Sequence, residues 1–198
     1  MKRALLLCVT AVLLSACGSI PPLNFSVPNV GPSPAKLDAE VKSLTVTVAR
    51  PDEKTGGLPP TAEGLAPLWK TSVEEALDRM AIFNDDASRK VSLSVKILKL
   101  EVPGAGLSMT TDAAARYEII DRKTGSVIFT TDISSSGTTP LDFAFQGVAR
   151  ARESVNRAVQ NNISQFLQQL QTVDLSKPMF PTAAVPAAAS PKAMAPTS

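Results

Sequence analysis

The chain contains no histidine. That removes Ser-His-Asp and Cys-His triads, imidazole general bases and histidine-ligated zinc together. Cysteine is nearly absent: the two present, Cys8 and Cys17, cannot build a four-thiolate zinc site. Neither sign of charge is in excess. Twenty lysines and arginines face 18 acids, a net charge of +2, with no basic block; this argues against nucleic acid as a partner. Long hydrophobic runs are also missing. The longest, residues 4–14 interrupted only by Thr10, has 11 residues. A helix of that length cannot cross a hydrocarbon core of roughly 30 Å. What remains, 198 residues at 44% hydrophobic and 19% charged, is the balance of one soluble globular domain.

The chain opens on an address. Lys2 and Arg3 precede the apolar run, and Leu14-Ser15-Ala16-Cys17 closes it. This is the layout of a secretory signal, and its end resembles a bacterial lipobox. The resemblance implies that residues 1–16 are removed and that Cys17 becomes a mature N-terminus carrying acyl chains on its sulfur and its amine. Cys8 then leaves with the signal, and no thiol is free for a disulfide. Several acyl chains, at about 0.8 kcal/mol per buried CH₂, give stable anchoring. Gly18 follows the cysteine where an aspartate would retain such lipoproteins in the inner membrane. By resemblance to that sorting rule, the expected location is the outer membrane, facing the periplasm.

Prolines 21, 22, 28, 32 and 34 mark residues 17–36 as a lipidated, proline-rich tether. Phe25, Val27 and Val30 are more apolar than a spacer needs and are expected to lie against the domain. Residues 37–175 form the folded unit. Residues 176–198, with prolines among alanine and serine, are expected to be a disordered tail.

Within the unit, Leu44, Val46 and Val48 alternate as a strand over 43–49. Apolar steps of three and four from Leu65 to Met80 predict a helix over 65–83. Val91, Leu93, Val95 and Ile97 share one strand face, then Leu98 and Leu100 switch parity. That predicts a bulge near 97–98 or burial on both faces. Residues 110–121 and 126–135 should pair as a hairpin around Asp121–Gly125. Thr139-Pro140-Leu141-Asp142 has N-cap chemistry, so the last helix is expected over 141–172, with a seam through Val148, Val155, Val159, Ile163, Phe166 and Leu170. The expected fold is α+β: an antiparallel sheet of about four strands with two helices on one face, in the order β-α-β-β-β-α.

No constellation specifies catalysis. Glu74, Glu75 and Asp78 read as a solvated helix face balanced by Lys70 and Arg79. Asp85-Asp86 lacks the calcium-loop pattern, and Gly104-Ala105-Gly106 is too short to cradle a phosphate. No catalytic residue, metal or cofactor is expected. Arg150, Arg152 and Arg157, with Gln165 and Gln168 on the polar side of the last helix, are the candidate partner-binding residues, since arginine suits carboxylates and anionic headgroups. Trp69 is read as core. Tyr117 is read as strand packing with its hydroxyl at the rim.

Taken together, lipobox, proline-rich tether and β-α-β-β-β-α domain resemble small periplasm-facing lipoproteins of diderm bacteria. Auxiliary lipoproteins of ABC-type lipid transporters, the lipopolysaccharide-assembly lipoprotein and envelope proteins with TolB-N-terminal-like domains share that layout. The resemblance implies a non-catalytic, membrane-anchored accessory that docks an envelope protein or lipid. The alternative is a lipid-binding accessory of a lipid-transport or lipopolysaccharide-assembly system, with an apolar groove between sheet and helices.

Overall fold

The computed structural model describes Ile20 and residues 22–177. The signal segment, Cys17 and the proline-alanine tail lie outside the described residues. The elements run β1 (Glu40–Val48), α1 (Ala62–Met80), β2 (Lys90–Glu101), β3 (Met109–Asp121), β4 (Val127–Thr139), a 3-10 turn (Leu141–Phe143) and α2 (Gly147–Leu170).

The four strands lie in sequence order in one sheet. β2–β3 and β3–β4 are antiparallel, but β1 and β2 are parallel. The sheet is therefore mixed, which corrects the expectation of an antiparallel one. The reason is the crossover: α1 carries the chain back along the sheet before β2 starts, so β1 and β2 leave from the same end. The hairpin turn is built as its residues suggest. Asp121 Oδ1 accepts the backbone N–H groups of Lys123 and Thr124, and Gly125 takes φ +72°, which glycine adopts without strain.

The parity switch in β2 is a bulge between Ile97 and Lys99. Leu98, at the bulge, is buried with Ala49 and Ala114 beneath Leu58, while Leu100 rejoins the main core. That core lies between the sheet and both helices. Val73, Ala76 and Met80 of α1 face it, as do Val155, Val159, Ile163 and Phe166 of α2.

Between the helices runs an extended strap that completes this core. Phe25 is 1% exposed and Val27 4%. Asn156 Oδ1 accepts the Asn24 N–H at 2.9 Å, and Gln160 Nε2 donates to the Asn24 carbonyl at 2.9 Å. Farther on, Ser26 Oγ donates to Glu75 at 2.6 Å, Arg79 donates to the Val27 carbonyl at 3.2 Å, and the Ser33 N–H reaches the Met80 carbonyl. The partners advance along each helix, so the strap runs parallel to both.

α2 starts at Gly147, six residues later than its capping signal suggests. Ala144 is extended, and Val148 is exposed, outside the seam.

Candidate functional site

Two loops meet at the end of the sheet where β2 and β4 finish and β3 and α2 begin. Arg150, in the first turn of α2, fastens them. Its Nη1 donates to the carbonyls of Ala144 at 2.7 Å and Phe145 at 2.8 Å, and its Nη2 to that of Gly106 at 3.1 Å. The side chain is buried and its Nε has no partner. Carbonyl oxygens take the place of a carboxylate, and Arg150 makes no ion pair among the described residues.

The sequence-predicted docking residues therefore separate. Arg150 is spent inside the fold. Arg157 is held by Glu153 at 2.8 Å, by the Thr138 carbonyl at 2.8 Å and over the Phe143 ring at 5.5 Å. Arg152, Gln165 and Gln168 are exposed. At about 100° per residue, Gln168 lies close to the azimuth of Arg157, but Arg152 lies about 140° away. Gln165 borders an open polar cleft with Asn161, Ser134, Lys99 and Asp112. The helix thus offers two separated polar surfaces instead of one face. Part of its polarity covers the outer edge of β4: Arg157 reaches the Thr138 carbonyl, and Asn161 the Ser136 carbonyl at 2.8 Å.

The same end of the molecule exposes an apolar group that sequence reasoning missed. Leu107 is 75% exposed, Phe145 100%, Leu141 51%, Val148 49% and Phe143 43%. The signal was present: Leu141, Phe143 and Phe145 recur at steps of two, which no helical seam absorbs.

Tyr117 sits in the core, not at the rim. Its ring stacks on Phe166 at 4.1 Å. Its hydroxyl donates to Asn162 Oδ1 at 2.9 Å and accepts from Trp69 Nε1 at 3.2 Å. Asn162 Nδ2 completes the chain at the Ile133 carbonyl and Ser135. Burial pushes the Tyr117 hydroxyl well above the usual phenol range.

The helix-free face of the sheet carries ion pairs. Arg116 grips Asp132 with two bonds, at 2.6 and 2.7 Å, which holds that carboxyl below its ordinary range. Lys96, with the Arg50 backbone, does the same for Glu53. On α1, Glu74 is tied to Lys70, and Glu75 to Arg79 and Ser26. Among the described residues no cluster of three metal-ligating side chains occurs, and no helix is long and apolar enough to cross a membrane.

No family model matches the chain, and no curated protein does. Solved structures do match. Protein XCC0632 from Xanthomonas campestris, of family DUF330, is 13% identical over 74% of this chain and 92% of its own, with a TM-score of 0.52. A minor lipoprotein from Acinetobacter baumannii is 14% identical over 66% and 91%, with a TM-score of 0.36. Lipoprotein GNA1162 from Neisseria meningitidis is 15% identical over 71% and 100%, with a TM-score of 0.28. The likeness to XCC0632 is one of fold.

Proposed function

We propose that this chain is a lipid-anchored envelope lipoprotein that holds a non-catalytic docking domain close to the outer membrane, facing the periplasm. Acylated Cys17 would be the anchor, and the reading extends to the accessory role that its resemblance to transporter-associated lipoproteins implies. The observation that carries it is the position of Phe25. Only seven residues separate Cys17 from Phe25, and Phe25 is locked in the core against Trp69. The anchor is therefore coupled to the domain by a short leash, not a long flexible arm. Proximity then raises the effective concentration of the domain for a membrane-bound partner.

The same observation weighs against an internal lipid carrier. Phe25 and Val27 fill the space between the helices where an apolar groove would lie. A neighbouring cleft of about 520 Å³ is lined by Lys42, Glu74, Asp78 and Asp85 as well as apolar groups.

The surfaces left for docking are the open polar cleft that Gln165 borders beside Ser134 and the separated exposed positions Arg152 and Gln168. In-cell photocrosslinking from Ser134 and Gln168 tests this. A discrete adduct with an envelope protein, lost in the Arg152→Glu, Gln165→Glu double variant, is expected. Full-length protein that carries no acyl chain on Cys17, or that gives no adduct from either position, defeats the proposal.

A further inference from the structure

The described start of the strap points toward the end of the molecule that carries the exposed apolar loops. Asn156 Nδ2 donates to the Pro22 carbonyl, and the strap advances from Asn156 at residue 22 to Gln160 at residue 24. Traced backwards, the chain heads toward the N-terminus of α2. Val148 lies eight residues before Asn156, about 12 Å along the helix. Cys17 lies five residues before Pro22, a covalent reach of at most roughly 17 Å. Acyl chains on Cys17 therefore bring the bilayer surface to within a short span of the end that carries Leu107, Leu141, Phe143 and Phe145.

The backbone that presents them is fastened. Arg150 ties the Phe145 backbone to Gly106, and Arg157 lies over Phe143. The loops are thus held outward at a cost in exposed apolar surface. We propose that this end docks into the surface of the bilayer that holds the acyl anchor, with Phe145 and Leu107 entering the headgroup–acyl boundary. Phe145, the most exposed, leads. Interfacial insertion of this kind reaches about 5–10 Å. The acyl chains supply residence at the membrane; the loops fix which face the domain turns toward it. The inference rests on the acyl-anchor reading.

The test uses the full, acylated chain reconstituted in vesicles of phosphatidylethanolamine with a minority of phosphatidylglycerol. Phe145→Cys carries an environment-sensitive fluorophore, and Lys123→Cys, at the opposite turn, carries the same label as control. Doxyl-labelled phospholipid serves as quencher, and Trp69 emission reports that each variant is folded. The expected result is a blue-shifted probe at 145, quenched severalfold more than the probe at 123. Protein that floats with the vesicles but leaves both probes equally unquenched overturns the docking alone. Probes at 145 that crosslink pairwise while escaping lipid quenching assign the face to a second copy and also overturn it. Protein that fails to float overturns the anchor reading beneath it.

Discussion

Phe25 meets Trp69 edge to face, with ring centroids 6.2 Å apart and planes at 68°. One ring comes from the proline-rich N-terminal segment and the other from α1, so that segment is a structural member of the core. Truncating a buried phenylalanine costs about 3–5 kcal/mol. Phe25→Ala should lower the urea midpoint accordingly, read by the emission of Trp69, the only tryptophan. A loss below about 1 kcal/mol would show the strap to be peripheral, since so small a cost is typical of surface positions.

Tyr117 links three elements through one hydroxyl. Tyr117→Phe removes the donor to Asn162 and the acceptor for Trp69, leaving two buried polar groups unsatisfied. Each orphan costs about 1–3 kcal/mol, so the variant should unfold at clearly lower urea. The pH dependence has a defined sign. The folded hydroxyl titrates above its ordinary value because burial disfavours the phenolate. Its stability contribution is intact below the unfolded phenol range, near pH 10, and is lost as pH rises beyond it. Unfolding curves from pH 9 upward should show that loss in the native chain and a shallower one in Tyr117→Phe, by the same linkage.

Arg116 and Asp132 predict the opposite slope. Asp132 is held below its ordinary range by the guanidinium, so its contribution is present above the usual carboxylate range and disappears as pH falls through the lowered value. The pair is nearly half exposed on both sides, which limits it to about 1 kcal/mol or less. Asp132→Asn should cost no more than that at neutral pH and should flatten the acid limb of the stability curve. A larger cost would mean that the two-bond pair also orders the β3–β4 ladder.

Much of this fold was legible in the sequence, and the exceptions share a cause. Alternation in Val91–Ile97 revealed a strand, and the parity change revealed its bulge. Alternation is silent on direction, however, so the parallel pairing of β1 with β2 had to come from the crossover. The capping signal at Thr139-Pro140 is locally sound, yet only the 3-10 turn Leu141–Phe143 forms there. Arg150 claims the carbonyls of Ala144 and Phe145 and ties them to that of Gly106, 44 residues away, a tertiary contact that overrides local propensity. Arg150 and Arg157, seven residues apart, looked like one surface. Loop carbonyls absorb the first and Glu153, Thr138 and Phe143 the second. The buried role of Tyr117 was hidden because its partners Trp69 and Asn162 lie 48 and 45 residues away.

Gly137 marks the closest approach of α2 to the sheet. A Cβ there would sit 2.2 Å from the Ala158 backbone nitrogen and 2.5 Å from the Ser154 carbonyl oxygen. Both are helix backbone and cannot rotate away, so α2 must lift off β4. The lift would also break the Thr111–Ser154 hydroxyl contact at 2.7 Å. Overpacking of this kind costs about 1–3 kcal/mol or more. Gly137→Ala should therefore destabilise by at least that range, whereas Gly64→Ala, with open space around its Cβ, should stabilise slightly through helix propensity. Thermal unfolding of the two variants in parallel gives the comparison.

Ala81 closes α1 in the left-handed region, at φ 45° and ψ 38°, with its N–H on the Leu77 carbonyl. A Cβ makes that conformation unfavourable by about 1–2 kcal/mol, and glycine is the residue that adopts it freely. Alanine nevertheless stands there because the carbonyl of Ala81 is held by the ammonium of Lys36 and the next residue, Ile82, is fully buried. Tertiary packing imposes the turn. Ala81→Gly keeps every one of those contacts, since the methyl itself is not part of them, and removes the strain. Glycine also gains freedom in the unfolded chain, which offsets up to about 1 kcal/mol of the relief. The net expectation is a gain of about 0.5–1 kcal/mol, read as a rise in the urea midpoint with an unchanged slope. A loss of stability would mean that the strap and β1, not the helix end, determine the backbone angles at this position.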